Sequence, residues 1–174
     1  MHYTGVDVWA KWGIVTIDEN RNIIKMLTIP KTKWEVDWLE LAWLLYMLNW
    51  PIAIEDVHSI YWTSAKSNFN FGYIKWFKMA CLIEKPVVLV QPKVWQKVAR
   101  IEDDIVYKKL KPRKVKDTKA TSLNSAQRLF PWVDWKLKGQ RVQQDWLYDA
   151  WLMAYWLWFN NRPDRSVEEL TKVL

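Results

Sequence analysis

Four carboxylic acids lie in segments that are otherwise apolar. Asp7 lies in the strand-like run YTGVDV, Glu55 stands near the end of PIAIEDV, and Asp145 and Asp149 share the helix-like stretch DWLYDAWLMAYW. A buried carboxylate has a large desolvation cost unless a positive group meets it. None of these segments contains a lysine or an arginine. The simplest missing partner is a pair of divalent cations, so the sequence predicts a metal site.

The first third of the chain predicts an antiparallel meander. Residues 2–8 alternate between two faces, with Tyr3, Gly5 and Asp7 on one of them. Two further strand patterns follow at 12–19 and 22–29, joined by short links. Short links favour antiparallel neighbours, so we expect three strands in sequence order.

The rest of the chain predicts helices that alternate with two parallel strands. Residues 35–49 have helical spacing, and the apolar run 51–57 that follows must lie parallel to its neighbour, because a helix connects them. A second short parallel strand is predicted at 87–91. A helix with an apolar stripe from Phe69 to Cys81 is predicted between the two. Further helices are predicted at 92–100, 122–130 and 143–160.

These strands can form one mixed sheet in which the first strand is central. If the strand at 51–57 pairs with it, Asp7 and Glu55 come within reach of the same ions. Asp145 and Asp149 are four residues apart and share one helix face. A last helix that docks beside the first strand would therefore bring all four acids together.

Length and composition set the class of protein. The 174 residues, 51% hydrophobic and 26% charged, predict one globular domain over 1–174. The longest apolar run, 150–159, is too short to span a bilayer, and the N-terminus has no signal-peptide pattern. The single cysteine excludes an internal disulfide and a cysteine-rich zinc site. We expect a cytoplasmic protein without membrane contact.

The net charge of +7 is concentrated in one segment. Residues 108–119 (KKLKPRKVKDTK) contain seven basic residues against one acid. Such a run is either a solvated charged loop or a phosphate-binding segment. The acidic site favours phosphate binding, because a polyanion must be drawn toward carboxylates that would otherwise repel it. The residues expected to grip phosphate without reading sequence are Lys108, Lys109, Lys111, Arg113, Lys114 and Lys116.

Tryptophan is unusually frequent and glycine unusually rare. The chain has 15 tryptophans and 4 glycines, whereas ordinary glycine usage would give roughly 12. Trp9, Trp12, Trp62 and Trp132 stand where a turn favours glycine, and tryptophan adopts positive φ only at a cost. We interpret the sequence as engineered or otherwise altered, with tryptophan in place of glycine at such positions.

Several segments, in order, resemble a known family. They are GVD at 5–7, AIEDVHS at 53–59, SNFNFG at 67–72, DTKATSLNSAQRLFP at 117–131 and DWLYDA at 145–150. Together they resemble the RuvC-type Holliday junction resolvases, especially the phage-borne group, within the ribonuclease H-like superfamily. The resemblance covers most of the chain. It implies an α/β fold of ribonuclease H type, with a five-stranded mixed sheet (a meander, then two parallel strands) flanked by helices.

The resemblance also assigns roles to residues. The family's first catalytic aspartate falls on Asp7, its strand-end glutamate on Glu55, and its helix pair on Asp145 and Asp149. Lys119 resembles the family's basic residue before the short helix and would contact the scissile phosphate. The sequence departs from the family where tryptophan replaces glycine or follows the first aspartate, at positions 9, 12, 62, 76 and 146.

The implied chemistry is phosphodiester hydrolysis with two Mg²⁺ ions about 4 Å apart. Mg²⁺ suits hard carboxylate oxygens, Mn²⁺ is a plausible substitute, and no organic cofactor is expected. The implied substrate is a four-way DNA junction in a bacterial or phage-infected cell. A homodimer suits the two-fold character of such a junction. Tyr61, Phe69 and Phe71 either wedge into the junction centre or pack their own loop.

Two alternatives stay open. The chain is either another nuclease of the same superfamily, acting on branched DNA or an RNA–DNA hybrid, or a catalytically inert DNA-binding module. Cleavage of matched substrates separates the first alternative from a resolvase, and a metal titration that follows both stability and cleavage separates the second.

Overall fold

The computed structural model describes residues 1–7, 13–28, 30–32, 35–48, 51–56, 72, 87–109, 114–134 and 145–162. Its strands are β1 (His2–Val6), β2 (Gly13–Asp18), β3 (Ile23–Thr28), β4 (Lys31–Thr32), β5 (Glu35–Val36), β6 (Ile52–Glu55) and β7 (Val87–Val90). Its helices are α1 (Trp38–Tyr46), α2 (Pro92–Ala99), α3 (Thr118–Leu129) and α4 (Asp145–Asn161), and Glu102–Asp104 forms a 3₁₀ turn.

Five of the strands form one mixed sheet in the order β3-β2-β1-β6-β7. β1 is antiparallel to β2 and parallel to β6, β2 is antiparallel to β3, and β6 is parallel to β7. The predicted α/β fold is therefore confirmed, with the first strand central. The sheet places the carboxyl ends of β1 and β6 at the same edge, where the first two predicted acids lie.

One face of the sheet packs against α4 through an unusually close contact. A Cβ built on Gly5 would lie 1.9 Å from the carbonyl oxygen of Ala150 and 2.7 Å from the nitrogen of Ala154. No side chain fits between this helix and this strand, so only glycine is possible at position 5. The core around this contact includes Tyr3 and Ala53 from the sheet and Trp151 from α4.

The opposite face of the sheet is buried as well. The Thr4 and Thr16 hydroxyls hydrogen-bond to each other at 2.9 Å across β1 and β2, and both side chains are inaccessible to solvent. The apolar residues Val6, Ile14, Ile52 and Ile54 are fully buried there. Burial on both faces is typical of a parallel sheet covered by helices, and it explains why these strands are apolar throughout.

Two helices begin at residues that the periodicity did not identify. α1 begins at Trp38, not at residue 35, because Asp37 caps it by accepting a hydrogen bond from the Glu40 N–H at 3.0 Å. α3 begins at Thr118, not at residue 122, because Asp117 accepts from the Ala120 N–H at 3.2 Å. Capping side chains define a helix start more sharply than apolar spacing does.

The basic segment has more structure than the predicted loop. Tyr107 forms an antiparallel bridge with Lys116, the Lys108 N–H donates to the Val115 carbonyl at 2.9 Å, and the Asp117 N–H donates to the Val106 carbonyl at 2.7 Å. Residues 105–109 and 114–117 thus pair as two antiparallel segments, here called the basic arm. Residues 110–113 lie outside the described ranges.

The turn between β2 and β3 has a backbone conformation that normally favours glycine. Arg21 has φ of 66°, and within the described ranges no other non-glycine residue has a positive φ. Its guanidinium lies over the rings of Trp132, at 5.7 Å, and Trp158, at 5.3 Å. Trp132 itself lies in a turn, as predicted, but its φ is not positive, so that turn does not require glycine at this position.

The remaining described features add little to the site. No helix in the described part of the chain is long and apolar enough to cross a membrane. The predicted helix with its stripe from Phe69 to Cys81 lies outside the described residues apart from Gly72, which is helical.

Candidate active site

Asp7 and Glu55 end two neighbouring parallel strands. They directly follow the paired residues Val6 and Ile54, so the register places them side by side. Paired positions in adjacent strands are about 4.8 Å apart, and their side chains lie on the same face. Asp7 is only 3% exposed and Glu55 only 5%. The two carboxylates that the sequence predicted to meet are thus adjacent and nearly buried.

Both acids lie on the face of the sheet that α4 covers. Side chains alternate along a strand, so Asp7 is on the same face as Gly5, two residues earlier. Gly5 contacts Ala150 of α4, and the next residue toward the start of that helix is Asp149. The Gly5–Ala150 contact therefore brings the turn of α4 that carries Asp149 to the strand that ends in Asp7.

Asp149 is held by two polar residues from other helices. The Ser122 hydroxyl of α3 donates to its Oδ1 at 2.6 Å. Arg100, the residue after α2, donates from Nη2 to the same Ser122 hydroxyl at 2.7 Å and lies 3.7 Å from Asp149 Oδ1. The carboxylate, which is about one-third exposed, thus has an oxygen fixed by a hydroxyl and a guanidinium.

Arg100 also connects Asp149 to Glu55. The guanidinium lies over the indole of Trp95 at 5.0 Å, and the Trp95 N–H donates to Glu55 Oε1 at 3.2 Å. Trp95 is 1% exposed, so this hydrogen bond forms away from water, where it is stronger. We call Glu55, Trp95, Arg100, Ser122 and Asp149 the polar chain of the site. It ties two acids from different elements into one unit.

The positive charge of Arg100 compensates part of the negative charge of the acids in the site. Burial lowers the pKa of its guanidinium, while the negative charges of Asp149, Glu55 and Asp104 act to raise it. The sequence predicts divalent cations as the simplest partner of these acids, because their own segments contain no basic residue. That prediction is incomplete, since Arg100 reaches the acids from a different segment. Its position in sequence, one residue beyond a helix, gave no signal of the contact.

A third buried acid, Asp104, fixes an element next to Arg100. Asp104 is 3% exposed and accepts hydrogen bonds from Arg128 Nη2 at 2.9 Å, from the Ser125 hydroxyl at 2.9 Å and from the Ile101 N–H at 3.0 Å. Burial acts to raise the pKa of this carboxyl, but these bonds outweigh it and hold the pKa below its usual value. Asp104 therefore fixes the 3₁₀ turn, and with it the base of the basic arm, to α3.

The donor set is suitable for a hard divalent cation at Asp7 and Glu55. Two carboxylates side by side in a nearly dry setting repel each other, and a cation with oxygen ligands relieves that repulsion. Within the described residues, no group of three or more histidine, cysteine or acidic side chains is close enough to hold an ion together. Asp145 begins α4, but its side chain lies outside the described set. The four-carboxylate metal site therefore stays a prediction.

The residues predicted to contact DNA fall into three groups. Lys119 is exposed in the first turn of α3, three residues before Ser122, and so lies on the turn next to the Asp149 contact. Four lysines of the basic arm are exposed: Lys108, Lys109, Lys114 and Lys116. Five predicted DNA contacts lie outside the described residues: Tyr61, Phe69, Phe71, Lys111 and Arg113.

Solved structures that share this fold include two of RuvC. Thermus thermophilus RuvC in complex with a Holliday junction substrate matches with a TM-score of 0.58 at 11% sequence identity, covering 92% of this chain and 92% of that chain. A second Thermus thermophilus RuvC structure matches with a TM-score of 0.56 at 10% identity, covering 92% of this chain and 93% of that one. No family model and no curated protein matches the sequence. The similarity is one of fold, and it agrees with the predicted α/β architecture with a five-stranded mixed sheet.

Proposed function

We propose that this protein is a metal-dependent endonuclease that resolves four-way DNA junctions by hydrolysing phosphodiesters in paired strands. The observation that most supports this function is the pair Asp7 and Glu55, nearly buried at the carboxyl ends of adjacent parallel strands. The fold that carries them is also the fold of RuvC, one structure of which is bound to a Holliday junction substrate. Acids at that edge of such a sheet are placed for catalysis and contribute little to packing.

The residues of the site have three tasks in this proposal. Asp7, Glu55, Asp145 and Asp149 would hold Mg²⁺, for which Mn²⁺ can substitute. Bound there, the ions would supply an activated water and charge stabilisation for the leaving oxygen. Ser122 and Arg100 orient Asp149, and Trp95 orients Glu55, so the acids are fixed before substrate arrives. Lys119 would hold the phosphate that is cut.

The charge distribution supports a nucleic-acid substrate. The net charge is +7, and the exposed lysines of the basic arm lie on the segment that leads directly into α3, the helix that contacts Asp149. Lysines placed in this way draw a polyanion toward an acidic site, and their effect falls as salt rises. A homodimer would present two such sites to the two-fold symmetric junction.

A cleavage comparison tests the proposed substrate. A four-way junction and an RNA–DNA hybrid of matched sequence should be incubated with the protein in Mg²⁺ and, separately, in EDTA. We expect paired cuts in the junction that depend on Mg²⁺. Preferential cutting of the hybrid would instead assign the protein to another group of ribonuclease H-like nucleases.

One observation favours a second function, that of an inert DNA-binding module. Arg100 already supplies a positive charge to Asp149, so part of the acidic site is compensated without a metal ion. Titration with Mn²⁺, following thermal unfolding and junction cleavage together, distinguishes the two functions. Stabilisation without any cutting would support the inert module and contradict the endonuclease.

A further inference from the structure

A cleft lies next to the acidic site, and Arg100, which lies beside Asp149, also lines this cleft. It has a volume of about 370 Å³ and is bounded by the end of α2, the 3₁₀ turn, the base of the basic arm and the start of α3. The polar residues that line it and bear on its chemistry are Lys97, Arg100, Glu102, Lys116, Thr118 and Thr121. Two of them already have a part in the proposed function: Arg100 orients Asp149, and Lys116 is one of the lysines of the basic arm.

The charge of the cleft favours an anion. Three cationic side chains, Lys97, Arg100 and Lys116, face one acidic side chain, Glu102. Lys97 and Lys116 are exposed, so their ammonium groups are hydrated, whereas the Arg100 side chain is only 13% exposed. A buried guanidinium attracts an anion more strongly than an exposed ammonium does, because less water screens it.

The Arg100 guanidinium is held in a fixed orientation where it lines the cleft. Its Nη2 atom donates to the Ser122 hydroxyl at 2.7 Å, and the guanidinium lies over the Trp95 indole at 5.0 Å. A cation that is already oriented loses little conformational freedom when an anion binds beside it.

The start of α3 adds further donors. Thr121 accepts a hydrogen bond from the Val106 N–H at 3.1 Å, which leaves its own hydroxyl hydrogen to donate. Thr118 is the first residue of this 12-residue helix and is exposed. The positive end of the helix dipole therefore lies at the cleft together with two hydroxyl groups.

We propose that this cleft binds a backbone phosphate of the DNA strand that enters the acidic site, a second phosphate beside the one that is cut. Arg100 is common to both sites: its Nη2 donates to Ser122 beside Asp149, and the same side chain lines the cleft. The volume exceeds that of a phosphate group and lies in the range of small-ligand sites, so part of a nucleotide fits with it. The identity of the ligand as DNA rests on the proposed function.

Binding measured in EDTA tests the cleft apart from catalysis. The probe is a fluorescein-labelled tetrathymidylate, and the variants are Lys97→Gln and Lys93→Gln. Both lysines are exposed on α2 and both substitutions remove one positive charge, but only Lys97 lines the cleft. We expect Lys97→Gln to weaken binding about fivefold and Lys93→Gln less than about twofold. Equal weakening by the two variants would overturn the proposal.

A spectroscopic readout locates the anion at Arg100 itself. The Arg100 Nε–H signal, identified by its loss in Arg100→Lys, should shift on titration with inorganic phosphate, and the shift should saturate. A signal that stays in place while phosphate binds elsewhere would overturn the proposal. Absence of junction cleavage in Mg²⁺ would contradict the endonuclease, but it would leave both of these metal-free measurements intact.

Discussion

Gly5 and Ala150 touch through main-chain atoms: a methyl group on Gly5 would stand 1.9 Å from the Ala150 carbonyl oxygen. A main-chain oxygen cannot rotate away, so Gly5→Ala must displace either β1 or α4. We expect the free energy of unfolding to fall by about 3 kcal/mol, as measured by urea denaturation. Gly72→Ala is the matched control, because a Cβ there meets nothing within 4 Å. Equal stability of the two variants would contradict the assigned contact.

The ion pair between Arg100 and Asp149 predicts non-additive effects on stability. Arg100→Met leaves Asp149 without its guanidinium, and we expect a loss of about 2 kcal/mol in EDTA. Adding Asp149→Asn to that variant removes the charge that lost its partner and should restore part of the stability. A double-mutant cycle by urea denaturation measures the coupling, expected at about 1 kcal/mol. Strictly additive losses would show that the two side chains do not interact.

Asp104 predicts a specific pH dependence of stability. Its pKa is held below the usual value, so the ionised form stabilises the folded state. This contribution is complete above the unfolded-state pKa of about 3.9 and is lost as pH falls through the lower folded-state pKa. Asp104→Asn should therefore cost about 2–3 kcal/mol at pH 7, with a smaller difference from the wild type under strongly acidic conditions. Urea denaturation across pH 2.5–7 (roughly the range in which carboxyls titrate) measures this difference.

The control for Asp104 is its neighbour. Asp103→Asn removes the same charge from an exposed position in the same 3₁₀ turn. We expect its stability to stay within about 0.5 kcal/mol of the wild type at every pH. A large effect of Asp103→Asn would mean that net charge, and not the buried hydrogen bonds of Asp104, controls acid stability.

Asp7→Asn separates binding from cutting. The substitution keeps the shape of the side chain and removes a negative charge that repels a polyanion, so junction binding should be unchanged or about two- to fivefold tighter. Cutting in Mg²⁺ should be lost, because a ligand of the proposed metal site is gone. A gel-shift assay in EDTA and a cleavage assay in Mg²⁺ measure the two properties. Asp56→Asn, the same change just beyond β6, should keep cutting; retained cutting by Asp7→Asn would remove Asp7 from the mechanism.

The sheet could be predicted because its signals are local and repeated. Alternation defined the strands around Tyr3 and Ile17, and the helix before Ile52 required a parallel neighbour. The small hairpin of β4 and β5 gave no such signal, since two-residue strands have no period. The pairing of Tyr107 with Lys116 was also hidden, because the charge of the segment dominated its pattern.

The site could be predicted only in part, for a related physical reason. Asp7 and Glu55 stood out because acids are rare in apolar strands, and the strand register then brought them together. Arg100 and Ser122 did not stand out, because basic and hydroxyl residues are ordinary at helix ends and on helix surfaces. Their contacts with Asp149 depend on how α2, α3 and α4 pack. Packing between distant segments leaves no repeating residue pattern from which it could be predicted.

The strained turn at Arg21 has a consequence for the order in which the chain folds. A hairpin turn is ordinarily among the most local and earliest contacts of a protein. Here its left-handed residue is covered by Trp132 and Trp158, and the Trp158 N–H donates to the Glu19 carbonyl across 139 residues of sequence. The bend also has local hydrogen bonds, from the Asn22 N–H to Asp18 Oδ1 at 2.7 Å and from the Arg21 N–H to the Asp18 carbonyl at 3.1 Å, so it can form before α4 docks. We expect the β2–β3 hairpin to form early and to gain its full stability only when the last helix docks.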